Sequence, residues 1–437
     1  IQQPIAAFSM FFLAVVLVIL ATYLLFICGS VALCKLLQKN KRYYYQLQHF
    51  ISVSSMRYRM KRNGSSLASI CVLSTMVLVM ISSTLCLYSG SEDGLQQRYP
   101  RDISVTAYSD FDEQALEEKI AEVVSRYSLQ EKNEIHETTL QISGMLNGNR
   151  LQFEQDSLVN YNDIAIVKIF TLEEYNRLAG TSETLQDGEV LLSVINGSYS
   201  GDTIQIGTMQ PFQIQKQVPQ FVDDGDAFAN VSRMLYLIVP DMAMMQALNE
   251  RQAEAYNGYA SVIQFYKGFD LDADTDTQLA IQAELEQQLF DEGCVCESRE
   301  GGRSSFYALY GGLLFLGILL SVVFLFGTVL IMYYKQISEG YEDAGRFEIL
   351  QKVGMTKKEI KRSINSQILT VFTAPLLMAG VHLAFAFPML YRLLTLMGLT
   401  NVSLFAITTV GCFLVFAALY ALMYKLTSHS YYQLVKS

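Results

Sequence analysis

The sequence predicts a membrane all-α protein of five transmembrane helices with a large inserted extracellular α+β domain. Three observations carry this prediction. Five runs contain no Asp, Glu, Lys or Arg, at 1–34, 63–91, 304–334, 363–391 and 393–424, and each exceeds the ~20 apolar residues needed to cross a hydrocarbon core. The acids are sorted along the chain: residues 91–304 hold 37 of the 42 Asp and Glu but only 14 of the 32 Lys and Arg, a net charge of −23 against +13 for the remainder. The connection 35–62 carries Lys35, Lys39, Lys41, Arg42, Arg57, Arg59, Lys61 and Arg62 with no acid, the mark of a cytoplasmic loop.

Three regions follow: two transmembrane helices with their basic connection in 1–90, an acidic domain in 91–304, and three transmembrane helices in 305–437. With 35–62 inside the cell, 91–304 lies outside. The 335–362 loop, with seven Lys/Arg against five acids, returns inside. Arg392 marks a tight external turn, and the tail with Lys425 and Lys436 ends in the cytoplasm. Tyr88, Tyr307, Tyr310, Tyr333, Tyr334, Tyr391 and Tyr424 cluster at the predicted span ends as an aromatic belt in a chain without Trp. The chain starts at Ile1, with no basic n-region or small-residue cleavage site before the first run, so a fragment of a longer membrane protein is expected.

Within 91–304, strand-like runs alternate with helix-like ones. Strands are expected at Ile103–Ala107, Thr138–Met145, Arg150–Glu154, Ile164–Phe170, Glu189–Val194, Thr203–Ile206, Met234–Val239 and Ala260–Tyr266. Helices are expected at Glu113–Tyr127, Leu172–Leu178, Met242–Asn249 and Gln278–Phe290. A run of 214 residues is large enough for its own core, in one lobe or two. Asp223, Asp224, Gly225 and Asp226 carry a D-G turn signal and should be exposed. The domain's acidity keeps it soluble and would attract a cationic partner.

Catalytic chemistry is hard to find. No G-x-x-x-x-G-K-[ST] phosphate loop, H-E-x-x-H helix or G-x-S-x-G elbow occurs, so the chain reads as non-catalytic, with no cofactor of its own. Asp270, Asp272, Asp274 and Asp276 imitate the start of a calcium loop, but counting from Asp270 the turn Gly is replaced by Thr275 and the closing Glu by Ile281. Capping of the following helix by Asp274 or Asp276 is the plainer reading. Cys294 and Cys296, the two cysteines outside the spans, have no second pair to complete a zinc site, which leaves a local disulfide or two free thiols. His382, alone among the histidines, falls within a span; it is a functional candidate, or a neutral imidazole bonded to a neighbouring helix.

The cytoplasmic loops are more specific. Phe50, Val53, Met56 and Met60 share one helical face while arginines and lysines crowd the rest, as in a short helix lying in the membrane interface. The 335–362 loop reads as two short helices, one through Arg346–Val353 stopped by Gly354 and one capped by Thr356-x-x-Glu359. On the first, Phe347 and Leu350 form an apolar stripe among charges, and a helix of about two turns must dock that stripe on something.

The stretch Tyr334-Lys-Gln-Ile-Ser-Glu-Gly-Tyr-Glu-Asp, followed by Arg346-Phe-Glu-Ile-Leu-Gln-Lys-Val-Gly-Met-Thr-Lys-Lys-Glu-Ile, resembles the FtsX-like permease domain of ABC transporters. More narrowly, it resembles the bacitracin-export (BceB-like) permeases, as do Phe50-Ile-Ser-Val-Ser-Ser-Met-Arg-Tyr-Arg-Met-Lys, Leu73-Ser-Thr-Met-Val-Leu-Val-Met-Ile-Ser-Ser-Thr and Ser305-Phe-Tyr-Ala-Leu-Tyr-Gly-Gly. The resemblance covers the membrane segments and cytoplasmic loops and is weaker across 91–304.

The resemblance implies a ten-span permease with the external domain between the seventh and eighth spans, of which this chain supplies the sixth to the tenth. It implies a bacterial cell membrane and a partner ABC ATPase, as a dimer, that binds ATP and magnesium. Closure of that dimer is transmitted to the external domain through Glu339, Tyr341, Glu342, Asp343, Phe347 and Leu350, the apolar pair entering a groove and the acids pairing a basic rim. It further implies a cationic cell-wall-targeting antimicrobial peptide, or its lipid complex, as ligand, and a membrane sensor histidine kinase as a second partner. Control of that kinase as the main output, or mechanotransmission in cell-division or lipoprotein handling, are the alternatives. No nucleic-acid partner is expected.

Overall fold

The computed structural model describes residues 4–39, 47–108, 111–153, 163–226, 232–256, 261–352, 357–395, 397–399 and 401–436. In chain order these form α1 (Pro4–Leu24), a π-helical turn (Leu25–Gly29), α2 (Ser30–Lys39), α3 (Leu47–Ser89), α4 (Ser91–Arg98), β1 (Ile103–Ala107), α5 (Glu113–Arg126), β2 (Lys132–Asn147), β3 (Arg150–Gln152), β4 (Ile164–Thr171) and α6 (Leu172–Ala179). Then come β5 (Glu189–Asn196), β6 (Thr203–Ile206), β7 (Phe212–Gln217), β8 (Arg233–Val239), α7 (Met242–Ala255), β9 (Ile263–Asp270), α8 (Thr275–Leu289), β10 (Cys294–Ser298), α9 (Arg299–Lys352), α10 (Lys357–Thr395) and α11 (Val402–Lys436). Two compact units result, one built on Ser91–Leu309 and the other on Phe8–Gly90, Tyr310–Thr395 and Asn401–Ser437.

Five helical stretches among the described residues are long and apolar enough to cross a membrane: Met10–Ala32, Gly64–Ser89, Arg299–Glu342, Phe372–Thr395 and Val402–Leu426. Helix α3 is the hub of the helical unit, because α2, α10 and α11 all pack on it. Its apolar stretch is 44% buried, against 11–22% for the other four. Small residues make this possible, since lipid-facing helices gain nothing from burying Leu and associate instead by close backbone approach and interhelical hydrogen bonds. Gly64 is the tightest case: a Cβ there would lie 2.7 Å from the carbonyl oxygen of Phe26 and 2.9 Å from Cα of Ile27. Next to this contact the Tyr23 hydroxyl bonds Ser69 at 2.9 Å. His382 sits among Thr22 Oγ1 at 3.5 Å and Cys71 Sγ at 3.9 Å, joining α10 to α1 and α3 as a span-linking imidazole would.

Three helical expectations change. The segments read as short helices are parts of long ones: Phe50, Val53, Met56 and Met60 fall inside the 43-residue α3, and Arg346–Lys352 inside the 54-residue α9. Helical propensity of the charged stretches is high enough that no break is needed, and each prolongs a span already nucleated. Gly354 and Thr356, expected to stop one helix and cap the next, lie outside the described residues. Arg392 is not a turn residue but sits in the last turn of α10, where a cation meets the negative end of the helix dipole. The chain reverses after it, through Gly398 at φ 85°.

The other unit holds a ten-stranded mixed sheet in the order β10-β1-β9-β2-β3-β6-β7-β5-β8-β4, with β4 returning to β2. The 16-residue β2 serves three partners. Lys132–Leu140 pairs with β9, Leu140–Met145 with β4, and Met145–Asn147 with β3. Seven strands thereby close into a ring, and all seven contribute to one core, for example Ile142, Leu151, Val167, Leu192, Ile204, Phe212 and Leu237, covered by Met245 and Leu248 of α7. A second core lies where α5 and α8 pack on β1, β9 and β10, through Val105, Leu116, Ile120, Phe265, Ile281 and Leu285. Alternation of buried and half-buried residues along β1 fits a strand with one face on that core.

Substituting Gly64 by Val should force α3 off the Phe26–Ile27 backbone and lower the thermal unfolding midpoint of the purified protein, by an overpacking cost of about 1–3 kcal/mol. Gly29→Ala, whose new methyl would meet only Leu25 at 3.6 Å, should leave the midpoint unchanged; equal effects of the two would refute the packing argument.

Candidate functional site

The coupling residues expected from the sequence lie on α9. Along it Met332, Lys335, Gln336, Glu339 and Gly340 are buried, at the i, i+3, i+4 spacing of one helical face, whereas Tyr333, Tyr334, Tyr341 and Glu342 are exposed. Lys335 extends its ammonium over the Phe372 ring of α10 at 5.5 Å. Glu339, expected among the acids offered to a partner, is only 4% exposed, because it falls on the face that packs within this unit. Tyr341 is 68% exposed. Asp343, Phe347 and Leu350 share the same helix, but their side chains lie outside the described residues, as do those of Phe50, Val53, Met56 and Met60.

The inserted domain contains a charged cluster that the sequence reading did not find. Lys168 stands mid-strand in β4, opposite Gln141 of β2 and beside Tyr236 of β8. Its ammonium donates to Glu137 of β2, to Asp224 at 2.5 Å and to Asp226 at 2.8 Å. The Tyr236 hydroxyl donates to Asp224 at 3.3 Å. Contrary to the expectation of an exposed turn, Asp224 and Gly225 are buried, Asp226 is half-buried and only Asp223 is exposed. The turn signal itself was right, since Gly225 has φ 84°, but the turn faces inward because Lys168 requires counter-charges. Gly is needed for a second reason: any Cβ would strike the carbonyl oxygen of Arg98. The only hint in the sequence was a lone Lys in the apolar run Ile164–Phe170.

Burial would discharge Lys168, but Asp224, Glu137 and Asp226 together hold it protonated well above the usual lysine range. Burial also opposes ionisation of Asp224, yet Lys168 and its hydrogen bonds keep that carboxyl below its ordinary value. Glu137 goes the other way: burial pushes it up to about 8, offset only in part by Lys168 and reinforced by Asp224.

Lys168, Asp224 and Asp226 form one wall of a polar cavity of about 120 Å³, completed by Arg98, Tyr108, Tyr266 and Glu297 among others. The segment roofing it is fastened on both sides. Arg98 donates to both carboxylate oxygens of Glu297, at 2.8 and 2.9 Å. Arg299 bonds Asp102 at 2.7 Å and the carbonyls of Tyr99 and Pro100 at 2.9 Å each. Arg303 pairs with Glu92 at 2.5 Å, and Tyr307 donates to the same carboxylate at 3.1 Å. The two crossings of the chain into and out of the domain are therefore tied together.

Elsewhere the sequence reading is resolved case by case. Asp274 caps α8 by accepting from the Thr277 N–H at 2.9 Å. Cys294 and Cys296 are free thiols on alternate positions of β10, and burial pushes Cys296 up to about 12. Among the described residues no group of three or more His, Cys, Asp or Glu is placed to hold a metal ion.

Membrane-length helices with a mixed-sheet domain inserted between them define the class: a multi-pass membrane protein with a large α+β insertion. No protein-family model matches the chain. Its homologues are ABC transporter permeases. It is 22% identical over 95% of its length to an uncharacterized ABC transporter permease, YvcS, of Bacillus subtilis. It is 22% identical over 84% of its length to the bacitracin export permease protein BceB of the same species, and 24% identical over 84% to that of Halalkalibacterium halodurans. The chain spans 63% of the first relative's length and 55% of each of the other two. Among solved structures, the periplasmic region of MacB from Actinobacillus actinomycetemcomitans aligns with 48% of this chain and 94% of its own, at 12% identity and a TM-score of 0.23.

Lys168→Met should leave Glu137, Asp224 and Asp226 without their cation and destabilise the inserted domain by about 3–5 kcal/mol, read as a lowered unfolding midpoint at pH 7. Removing Arg126, whose pairs with Glu122 and Glu284 are solvent-exposed, should produce no measurable loss.

Proposed function

We propose that this chain is the transmembrane part of an ABC transporter permease that couples ATP hydrolysis by a separate cytoplasmic ATPase subunit to its inserted domain. The observation that carries the reading is the continuity of α9. One uninterrupted helix begins directly after β10 and runs to Lys352. Its 54 residues correspond to roughly 80 Å at 1.5 Å each, while a hydrocarbon core takes up ~30 Å. A helix of that length needs no flexible joint to carry a displacement from one side of the bilayer to the other, and homology to permease subunits supplies the class of motor.

In this reading the basic 35–62 connection, the 335–362 segment and the C-terminus are cytoplasmic, and 91–304 is extracellular. Tyr341, Glu342, Asp343, Phe347 and Leu350 form the docking edge for an ATPase dimer, with Glu339 bracing the helix from inside. The chain itself performs no catalysis; ATP and magnesium belong to the partner. Bacitracin appears in the names of two relatives, which makes a cell-wall-targeting antimicrobial peptide the first ligand to test, and a sensor histidine kinase the first additional partner.

Leu350→Asp in the full-length permease, co-expressed with its ATPase, should reduce co-purified ATPase at least tenfold, an affinity loss of about 1.4 kcal/mol. Wild type should hydrolyse ATP faster with bacitracin present. An undiminished complex in the variant would remove the docking edge, and a peptide-insensitive wild-type ATPase would leave the permease reading but discard the ligand.

A further inference from the structure

The carboxylates gathered on Lys168 outnumber their cation, and two of the three are buried. The side chains of Lys168, Glu137 and Asp224 are 2%, 0% and 1% exposed, while Asp226 is 29% exposed. One ammonium cannot balance three ionised carboxylates in a low-dielectric interior, so such a cluster binds a proton instead. Geometry distinguishes the three. Asp224 is engaged on both oxygens, by Lys168 on Oδ2 and by the Asp226 N–H at 3.0 Å on Oδ1. Asp226 is partly solvated and lies within Coulombic reach of Arg98. Glu137 gives one oxygen to Lys168, while the other is buried without a hydrogen bond.

Among the described residues, Lys168 is the cation that bonds Glu137. Tyr236 of β8 and Tyr266 of β9 face the cluster as neutral phenols, both held far up by burial. Arg98, from the roofing segment, is committed to Glu297 of β10. Arg101 lines the same cavity and offsets Asp223.

We propose that the cluster is a proton-operated latch on segment 218–226: while Glu137 holds a proton, Asp224 and Asp226 balance Lys168 and keep the segment on the sheet, and when the proton leaves, the segment is released. Release follows because a third carboxylate then competes for one ammonium, and Asp226, the most solvated, is the cheapest to give up. The segment does not move alone. Gly225 packs directly on the Arg98 carbonyl, so its departure loosens the roof of the 120 Å³ cavity.

The direction of the pH dependence follows from the raised value of Glu137. The stabilisation is complete below the ordinary carboxylate range and is lost as pH rises through about 8. Asp224, held low, acts in the opposite sense but only in strong acid. The latch therefore weakens progressively from about pH 5 upward, and its loosening is complete once pH has passed about 8.

Amide hydrogen exchange on the intact protein in lipid nanodiscs, corrected for intrinsic rates, tests this independently of any ATPase or peptide. Amides of 218–226 and of Arg98 and Tyr99 should lose at least tenfold protection between about pH 5 and 8 and no more above it, relative to β5 and β7 as internal reference. Glu137→Gln, which keeps the shape and cannot ionise, should abolish the change. Should that variant fail to fold, Asp226→Asn provides the same test, because two carboxylates against one ammonium need no extra proton. Unchanged protection in wild type, or the same pH course in either folded variant, would overturn the proposal.

Discussion

Strand β2 is the constraint on which the inserted domain depends. A strand exposes backbone donors and acceptors along both edges, and those left unpaired cost free energy or invite association. At 16 residues β2 is long enough to pair with β9, β4 and β3 in succession. This closes seven strands upon themselves and extends three more from the same backbone. Two of the domain's cores hang from it, since Leu140 and Ile142 enter one while β9, aligned by β2, supplies Phe265 and Phe269 to the other. Glu137 belongs to the same strand, so the register that closes the ring also delivers a carboxylate to Lys168.

Burying Lys168 is costly by itself, and its contribution to net stability is small for that reason: a buried ion pair replaced by apolar groups is often no less stable. What the cluster adds is specificity of placement. Residues 137, 168 and 224–226 come from separate stretches, and only one arrangement of them satisfies the ammonium. In the helical unit the same logic runs through small residues instead, with Gly64 and Ser69 fixing where α3 meets the first helix.

Much of the architecture was legible. Five uncharged runs announced five long helices, and Ile103–Ala107 and Thr203–Ile206 read as strands with the limits they have, because alternation is a local property. Failures came where the deciding contact is distant. Strand β10 (Cys-Val-Cys-Glu-Ser) has too little apolar alternation to declare itself and exists because β1 lies beside it. Strand β7 reads Phe-Gln-Ile-Gln-Lys-Gln, alternating but Gln-rich, and is held by β5 and β6. The stretch read as a separate short helix from Arg346 is the end of the continuous α9. Of the candidate site, the helical state of Arg346–Lys352 was readable and the burial of Glu339 was not. The Lys168 cluster left one trace, a charge inside an apolar strand, and its partners could not be guessed from spacing.

The clasp formed by Arg299, Arg303, Asp102 and Glu92 bears on how such a chain can evolve. Because the points of departure and return are fastened to each other, everything between them is an excursion from one spot. Such an excursion can lengthen, shorten or change sequence without altering the distance that α3 and α9 must bridge. A lineage is then free to remodel the inserted domain while its membrane helices remain under separate selection.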